Sequence, residues 1–240
     1  MKIALGIVLV AGLASVASAQ LSTAGPGRAA QGGFGNRVTN YSWDDGTAEN
    51  SVGLTAGGVI AGINFFPVSG GDNVITSVDV AWGTPAFAGQ NGIVAGTPFN
   101  YHVWANVGAG TDPTGGNSVL LFSGSSTINA ANIDNNTFQS LAVPSVLIAG
   151  ASFFVGVDIA HTAGQFPLAV DLTAPTFGGA SWAGGGASFN PNAVGFGTGG
   201  ALDISTLGLG NWMIRANAVP TPGALALLGM GGLVIGRRRR

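Results

Sequence analysis

Hydrophobic positions along this chain recur every second residue, in short runs cut by glycine, proline, asparagine and aspartate. In 99–107 the residues Phe99, Tyr101, Val103, Ala105 and Val107 share one face, with Asn100, His102, Trp104 and Asn106 on the other. In 74–82 Val78, Val80 and Trp82 face one way, and Ser77, Asp79 and Ala81 the other. Further runs rich in β-branched and aromatic residues stand at 59–66, 118–123, 138–143, 152–159, 168–172 and 212–218. No long stretch carries the three-to-four-residue spacing of an amphipathic helix. Strand starts fall about 12 to 25 residues apart, which predicts an all-β fold, an antiparallel two-sheet sandwich of jelly-roll type. No fixed-period repeat is present, which argues against a solenoid or propeller. The stretch 173–210 is ambiguous: its glycines read either as loops decorating one end of the sandwich or as wide turns around short strands near Ser181-Trp182 and Ser188-Phe189.

Composition supports strands and turns over helices. Glycine accounts for 42 of 240 residues and charged residues for 8%, against a usual charged share of about 25%. Hydrophobic residues make up 46%, enough to fill a core and to exclude a wholly disordered polymer. The formal net charge of −2 merges two populations. Setting aside Lys2 and the terminal run of four arginines leaves Arg28, Arg37 and Arg215 against ten acids, a body of net −7. Such a body has no basic surface to neutralise phosphates, so nucleic acid is not an expected partner. The chain has no cysteine.

The ends differ from the body. Met1-Lys2 followed by an apolar run from Ile3 to Leu13 and the small-residue site Ala17-Ser18-Ala19 predicts an export signal helix over 1–19, with cleavage before Gln20 by the general secretion pathway. Residues 20–40 read as a flexible Gly/Ala/Ser leader and 41–218 as the sandwich. At the other end Val219-Pro220-Thr221-Pro222 leads into an apolar stretch, 223–236, and then Arg237, Arg238, Arg239 and Arg240. As a helix those 14 residues extend about 21 Å, short of the ~30 Å hydrocarbon core. The arginines resist translocation and hold the last residues on the cytoplasmic side.

This tripartite tail, over 219–240, resembles the PEP-CTERM sorting signal of exported bacterial proteins, with Thr221 where that family usually has Glu. The resemblance implies a short hydrophobic transmembrane helix, an exosortase-like intramembrane cysteine protease as partner, and release or transfer to the cell surface or extracellular matrix. A permanent anchor with a basic stop is the other reading of the same residues. Within the body, Tyr41-Ser42-Trp43-Asp44-Asp45-Gly46-Thr47-Ala48-Glu49 and Asn211-Trp212-Met213-Ile214-Arg215-Ala216 resemble the edges of a sandwich domain common among surface proteins with such tails, which implies an architecture and no activity.

Candidate chemistry is sparse. Asp44, Asp45 and Glu49 form the one local cluster of acids, and oxygen-rich turns of this kind suit Ca²⁺, with Asp203 or another distant carboxylate as a further ligand; the spacing is not that of an EF-hand, and a solvated acidic turn is the plainer reading. No other cofactor is implied. Gly195-Phe196-Gly197-Thr198-Gly199-Gly200 matches a dinucleotide-binding fingerprint, but in a chain this rich in glycine about one chance match is expected, and no βαβ unit surrounds it. His102 and His161 are the only histidines and have no metal-ligand spacing. Of the five tryptophans, Trp104, opposite Phe99 and Tyr101, and Trp182, in the Gly-rich region, are the candidate sugar-stacking platforms, while Trp82 aligns with the core.

The expectation is therefore a non-enzymatic, exported surface or matrix protein with a structural or adhesive role. The alternative is a carbohydrate-binding jelly roll that engages extracellular polysaccharide. Hydrolysis at a site assembled from distant loops, and ice binding, for which a regular Thr-x-Thr ladder is lacking, are the remaining readings.

Overall fold

The computed structural model describes residues 38–197 and 199–221. Thirteen strands run through them: β1 Thr39–Tyr41, β2 Asn50–Val52, β3 Gly57–Pro67, β4 Asp72–Ala81, β5 Pro98–Asn106, β6 Ser118–Thr127, β7 Phe138–Leu147, β8 Ser152–Thr162, β9 Leu168–Asp171, β10 Ser181–Gly186, β11 Leu202–Asp203, β12 Asn211–Trp212 and β13 Ile214–Pro220. The helical elements among the described residues are three short 3₁₀ turns, at Pro85–Phe87, Ala130–Asn132 and Ile204–Leu207.

The strands form sheets ordered β1-β13-β4-β7, β11-β10-β3-β8-β5-β6 and β12-β9-β2, with every ladder antiparallel. The three-stranded piece prolongs the first sheet: Met213 N–H donates to Ala169 and its carbonyl accepts from Ala81, each at 3.1 Å. Set face to face, β1-β13-β4-β7 and β3-β8-β5-β6 reproduce the eight-strand jelly roll, and β10 and β11 widen the second sheet beside β3. The expected all-β antiparallel sandwich is what the chain adopts.

The two-residue period explains the core. Phe99 and Val103 from β5 and Val78 and Val80 from β4 are buried in one cluster between the sheets, with Phe66, Phe153, Val155, Ile214 and Trp212. A polar clamp crosses this core. Asn64 of β3 donates to the carbonyls of Trp212 and Ile214 at 3.0 and 2.7 Å and accepts from Ser181 Oγ at 2.7 Å, so its buried amide is paired on both sides. β10 reaches β3 through Gly184, Gly185 and Gly186. At Gly185, φ is +126° and a Cβ would lie 1.9 Å from the Val59 carbonyl oxygen, so only glycine lets the two backbones approach here.

Several boundaries differ from the sequence expectation. β1 takes Thr39 and Asn40 from the predicted leader, pairing them with Ala218 and Asn217. β13 continues through Val219 and Pro220, opposite Val74 and Asp72, so the sheet includes two residues of the predicted tail motif. Proline is accommodated at the strand's last position, after a register shift between Val219 and Pro220. Val107 lies beyond β5 and is 61% exposed rather than on the core face. In 173–210, β10 covers Ser181-Trp182, whereas Ser188-Phe189 lies in a loop. The predicted signal, most of the leader, and the tail from Pro222 through the arginines fall outside the described residues. Among the described residues no helix is long and apolar enough to cross a membrane.

Candidate functional site

β5 projects Asn100, His102 and Trp104 onto the outer face of the six-stranded sheet, and their register partners on β8 are Asp158, Gly156 and Phe154. His102 Nε2 lies 2.6 Å from Asp158 Oδ1, and Asn100 Nδ2 donates to Asp158 Oδ2 at 3.1 Å. The loop after β10 lies over part of this face. The Phe189 ring is 6.0 Å from the imidazole, and Trp104 Nε1 donates to the Pro191 carbonyl at 2.7 Å. Beneath this cover Ile63, Phe65, Trp104, Phe154 and Val194 form a second apolar cluster.

This arrangement supplies a histidine and a carboxylate without a nucleophile. His102 is buried, and its Nδ1 has no hydrogen-bond partner among the described residues. Ser123, opposite His102 on β6, is exposed and does not bond it. Among the described residues no hydroxyl hydrogen-bonds either ring nitrogen of His102. What the trio does is tie the polar side chains of β5 and β8 together. The other histidine is locked as well. His161 Nδ1–H donates to the Thr162 carbonyl and Nε2 accepts the Leu54 N–H, both at 2.9 Å, which fixes a neutral ring; burial holds its pKa below the ordinary value.

The predicted acidic trio is split. The Asp44 side chain is fully buried and forms a two-pronged ion pair with Arg215, whose Nε lies 3.0 and 3.1 Å from its oxygens and whose Nη2 also bonds it. The guanidinium stacks on Phe138 at 3.9 Å. Burial raises the Asp44 pKa, and Arg215 pulls against that shift. Asp45 and Glu49 instead converge with Asp171, a residue the sequence reading did not select. Thr173 Oγ1 lies 3.3, 3.3 and 3.2 Å from oxygens of Asp45, Glu49 and Asp171.

Protein donors already serve these oxygens. Asp45 Oδ1 accepts from the Thr47 hydroxyl and N–H at 2.6 and 2.9 Å, which lowers its pKa. Glu49 Oε2 accepts the Leu172 N–H at 2.8 Å. Asp171 accepts the N–H groups of Asp45, Thr173 and Ala174 at 2.6, 2.9 and 2.8 Å. The cluster is a clasp joining the loop after β1 to the end of β9. Among the described residues no group of three or more His, Cys, Asp or Glu side chains is arranged to hold a metal ion. Asp203, the distant candidate ligand, receives the N–H groups of Gly179 and Ser205 at 2.7 and 2.9 Å and joins neither group.

The sugar-platform expectation requires correction at Trp104. Its indole is 0% exposed, because the loop after β10 folds over the face that alternation had correctly placed away from the main core. Trp182 is partly buried against the same cluster and donates Nε1–H to Gly179 at 3.0 Å. Trp82 lies in the core as expected. The dinucleotide-like glycines occupy the loop between β10 and β11, away from any strand-to-helix turn.

No known family matches the chain, and no curated protein matches it in sequence. Two solved structures resemble it, one with a TM-score above 0.5. A variant of the clostridial cysteine protease Cwp84 after propeptide cleavage superposes with a TM-score of 0.51 at 13% identity, over 77% of this chain and 40% of that one. The cysteine protease and lectin-like domains of Cwp84, a surface layer associated protein of Clostridium difficile, give 0.47 at 14% identity, over 77% and 36%. This chain spans about two fifths of the length of the first of these, and at 13% identity that likeness is one of fold.

Proposed function

We propose that this protein is an exported cell-surface or extracellular-matrix component, a jelly-roll module delivered by its signal segment and sorted through its C-terminal tail, with a structural or adhesive rather than catalytic role. The observation that carries the reading is the pairing of β1 with β13. Because Thr39 lies opposite Ala218 and Pro220 opposite Asp72, the leader and the tail leave the sandwich at the same pole. A module held there presents its whole opposite end outward.

The signal and tail motifs in the sequence support the finer route, through the secretion machinery and an exosortase-like protease. Polysaccharide binding loses its first platform with Trp104 buried, and Trp182 is partly buried against the same apolar cluster.

The test is surface display. Antibody labelling of intact cells should detect the full chain. Truncation after Thr221 should send the protein into the medium, and display that survives the truncation undiminished would overturn the sorting role.

A further inference from the structure

The pole from which the tail leaves is built from the start of β1, the β3–β4 turn, the end of β5 and start of β6, the β7–β8 turn and the end of β13. Eight large apolar side chains are exposed among the described residues, and four of them belong to this end: Val38 at 51%, Val107 at 61%, Leu147 at 52% and Val119, one residue into β6, at 47%. The turns between them, Val68-Ser69-Gly70-Gly71 and Ile148-Ala149-Gly150-Ala151, contain no charged residue. Asp72 is buried. Asp112, in the β5–β6 loop, turns its carboxylate to the Thr114 N–H at 2.9 Å.

The acids gather farther along the sheet. Arg215, which holds Asp44, is the register partner of Asp79, seven residues beyond Asp72. That spacing is about 24 Å along an extended strand. Asp134 accepts from Thr84, past the end of β4. A pole tipped with apolar side chains, whose one partly exposed charge among the described residues is Asp112, is unusual on the freely soluble surface of a body of net −7, where polar cover is the rule.

The chain's own continuation identifies what meets this surface. Pro220 is still paired in the sheet, and the apolar tail segment begins at Gly223, three residues on. Three residues reach at most about 10 Å, so while the tail is inserted this pole cannot stand clear of the lipid headgroups. The residue preceding Val38 is Arg37, a charge suited to anionic lipid.

We infer that this pole is a bilayer-contact surface: Val107 and Leu147, with Val38 at the far edge of the same pole, rest in the headgroup–acyl boundary of the outer leaflet and hold the sandwich upright on its tail. The inference rests on the tail being a membrane segment, as proposed above. It adds a docking geometry that the tail alone does not require.

The chain has no cysteine, so single-site labelling is direct. Full-length protein, mature from Gln20, is reconstituted into vesicles of phosphatidylethanolamine and phosphatidylglycerol. An environment-sensitive fluorophore is attached at Val107→Cys, Leu147→Cys, Val94→Cys or Leu228→Cys, and a nitroxide quencher is carried on the lipid. Val94, in the loop before β5 and 59% exposed, reports the opposite pole, and Leu228 reports tail insertion. The expected result is quenching at 228, several-fold stronger quenching at 107 and 147 than at 94, and blue-shifted emission at 107 and 147. Quenching at 228 with 107 and 147 no different from 94 overturns the docking surface and leaves the tail reading standing. Blue-shifted emission at 107 and 147 without lipid quenching would mean that protein, the leader or a second copy, covers the pole, and it overturns the inference equally. No quenching at 228 removes the membrane segment and the docking surface together.

Discussion

Replacing Arg215 with alanine tests whether the buried ion pair governs the junction of the two sheet pieces. Asp44 is fully buried at its side chain, whereas Arg215 keeps about 20% exposure, so truncating the arginine leaves a carboxylate with little access to water. Stranding one partner of a buried pair costs about 3–5 kcal/mol, and losing the cation from the Phe138 face adds about 0.5–1 kcal/mol. An exposed pair would cost about 1 kcal/mol or less. The pH dependence separates these cases. Burial already raises the Asp44 pKa above the ordinary carboxylate value of 3.8, and without Arg215 it rises further. Between 3.8 and that raised value the folded state holds a proton that the unfolded state has lost, so the variant's stability must fall as pH rises through this window and recover on acidification. Urea denaturation followed by tryptophan fluorescence at pH 7, 5.5 and 4 should show a loss of several kcal/mol at pH 7 that shrinks steadily toward pH 4. A companion Asp44→Asn in the Arg215→Ala background should recover much of the loss at pH 7. A loss below about 1 kcal/mol, or one independent of pH, would refute the reasoning.

Three further outcomes follow from the same geometry. Trp104→Ala should destabilise the chain by about 3–5 kcal/mol in denaturant titration, through the cavity and the released Pro191 carbonyl; a fold of unchanged stability would mean the loop after β10 does not cover the indole. His161, whose folded pKa is lowered by burial, should withdraw stability as pH falls from the ordinary imidazole value of 6.5 toward the lower folded value, because the unfolded chain takes up the proton first; His161→Gln should flatten that part of the profile of thermal midpoint against pH. Calcium added to chelator-treated protein should leave the thermal midpoint unchanged, because protein donors already occupy the Asp45, Glu49 and Asp171 oxygens; a midpoint that climbs with calcium concentration would show that the clasp opens to the ion.

Period-two alternation made the inner faces of β4 and β5 legible, because Val78, Val80, Phe99 and Val103 are apolar residues spaced for a half-buried sheet. It failed where the pattern is too short or too polar to register. β1 and β2 have three residues each, and the second half of β6 reads Ser-Gly-Ser-Ser-Thr, strand only because β5 pairs with it. Trp104 shows a different limit. Its face was readable from local sequence, but its burial depends on a Gly-, Ala- and Asn-rich loop more than 80 residues away, and such a loop announces no roof. Asp171 and Asp158 were missed for the same reason. Each is a single acid in an apolar run, and their partners Asp45 and His102 lie 126 and 56 residues distant. An isolated carboxylate inside a strand-like segment was the available signal, since it must find a partner when buried.

The central claim is export followed by sorting through the tail, and mass spectrometry of both termini of the native protein, taken from separated envelope and extracellular fractions, tests it most directly. The account predicts a chain beginning at Gln20 and ending beyond Pro220, without Arg237 to Arg240, in the surface or extracellular fraction. A chain retaining Met1, or one keeping all four arginines in every fraction, would contradict it.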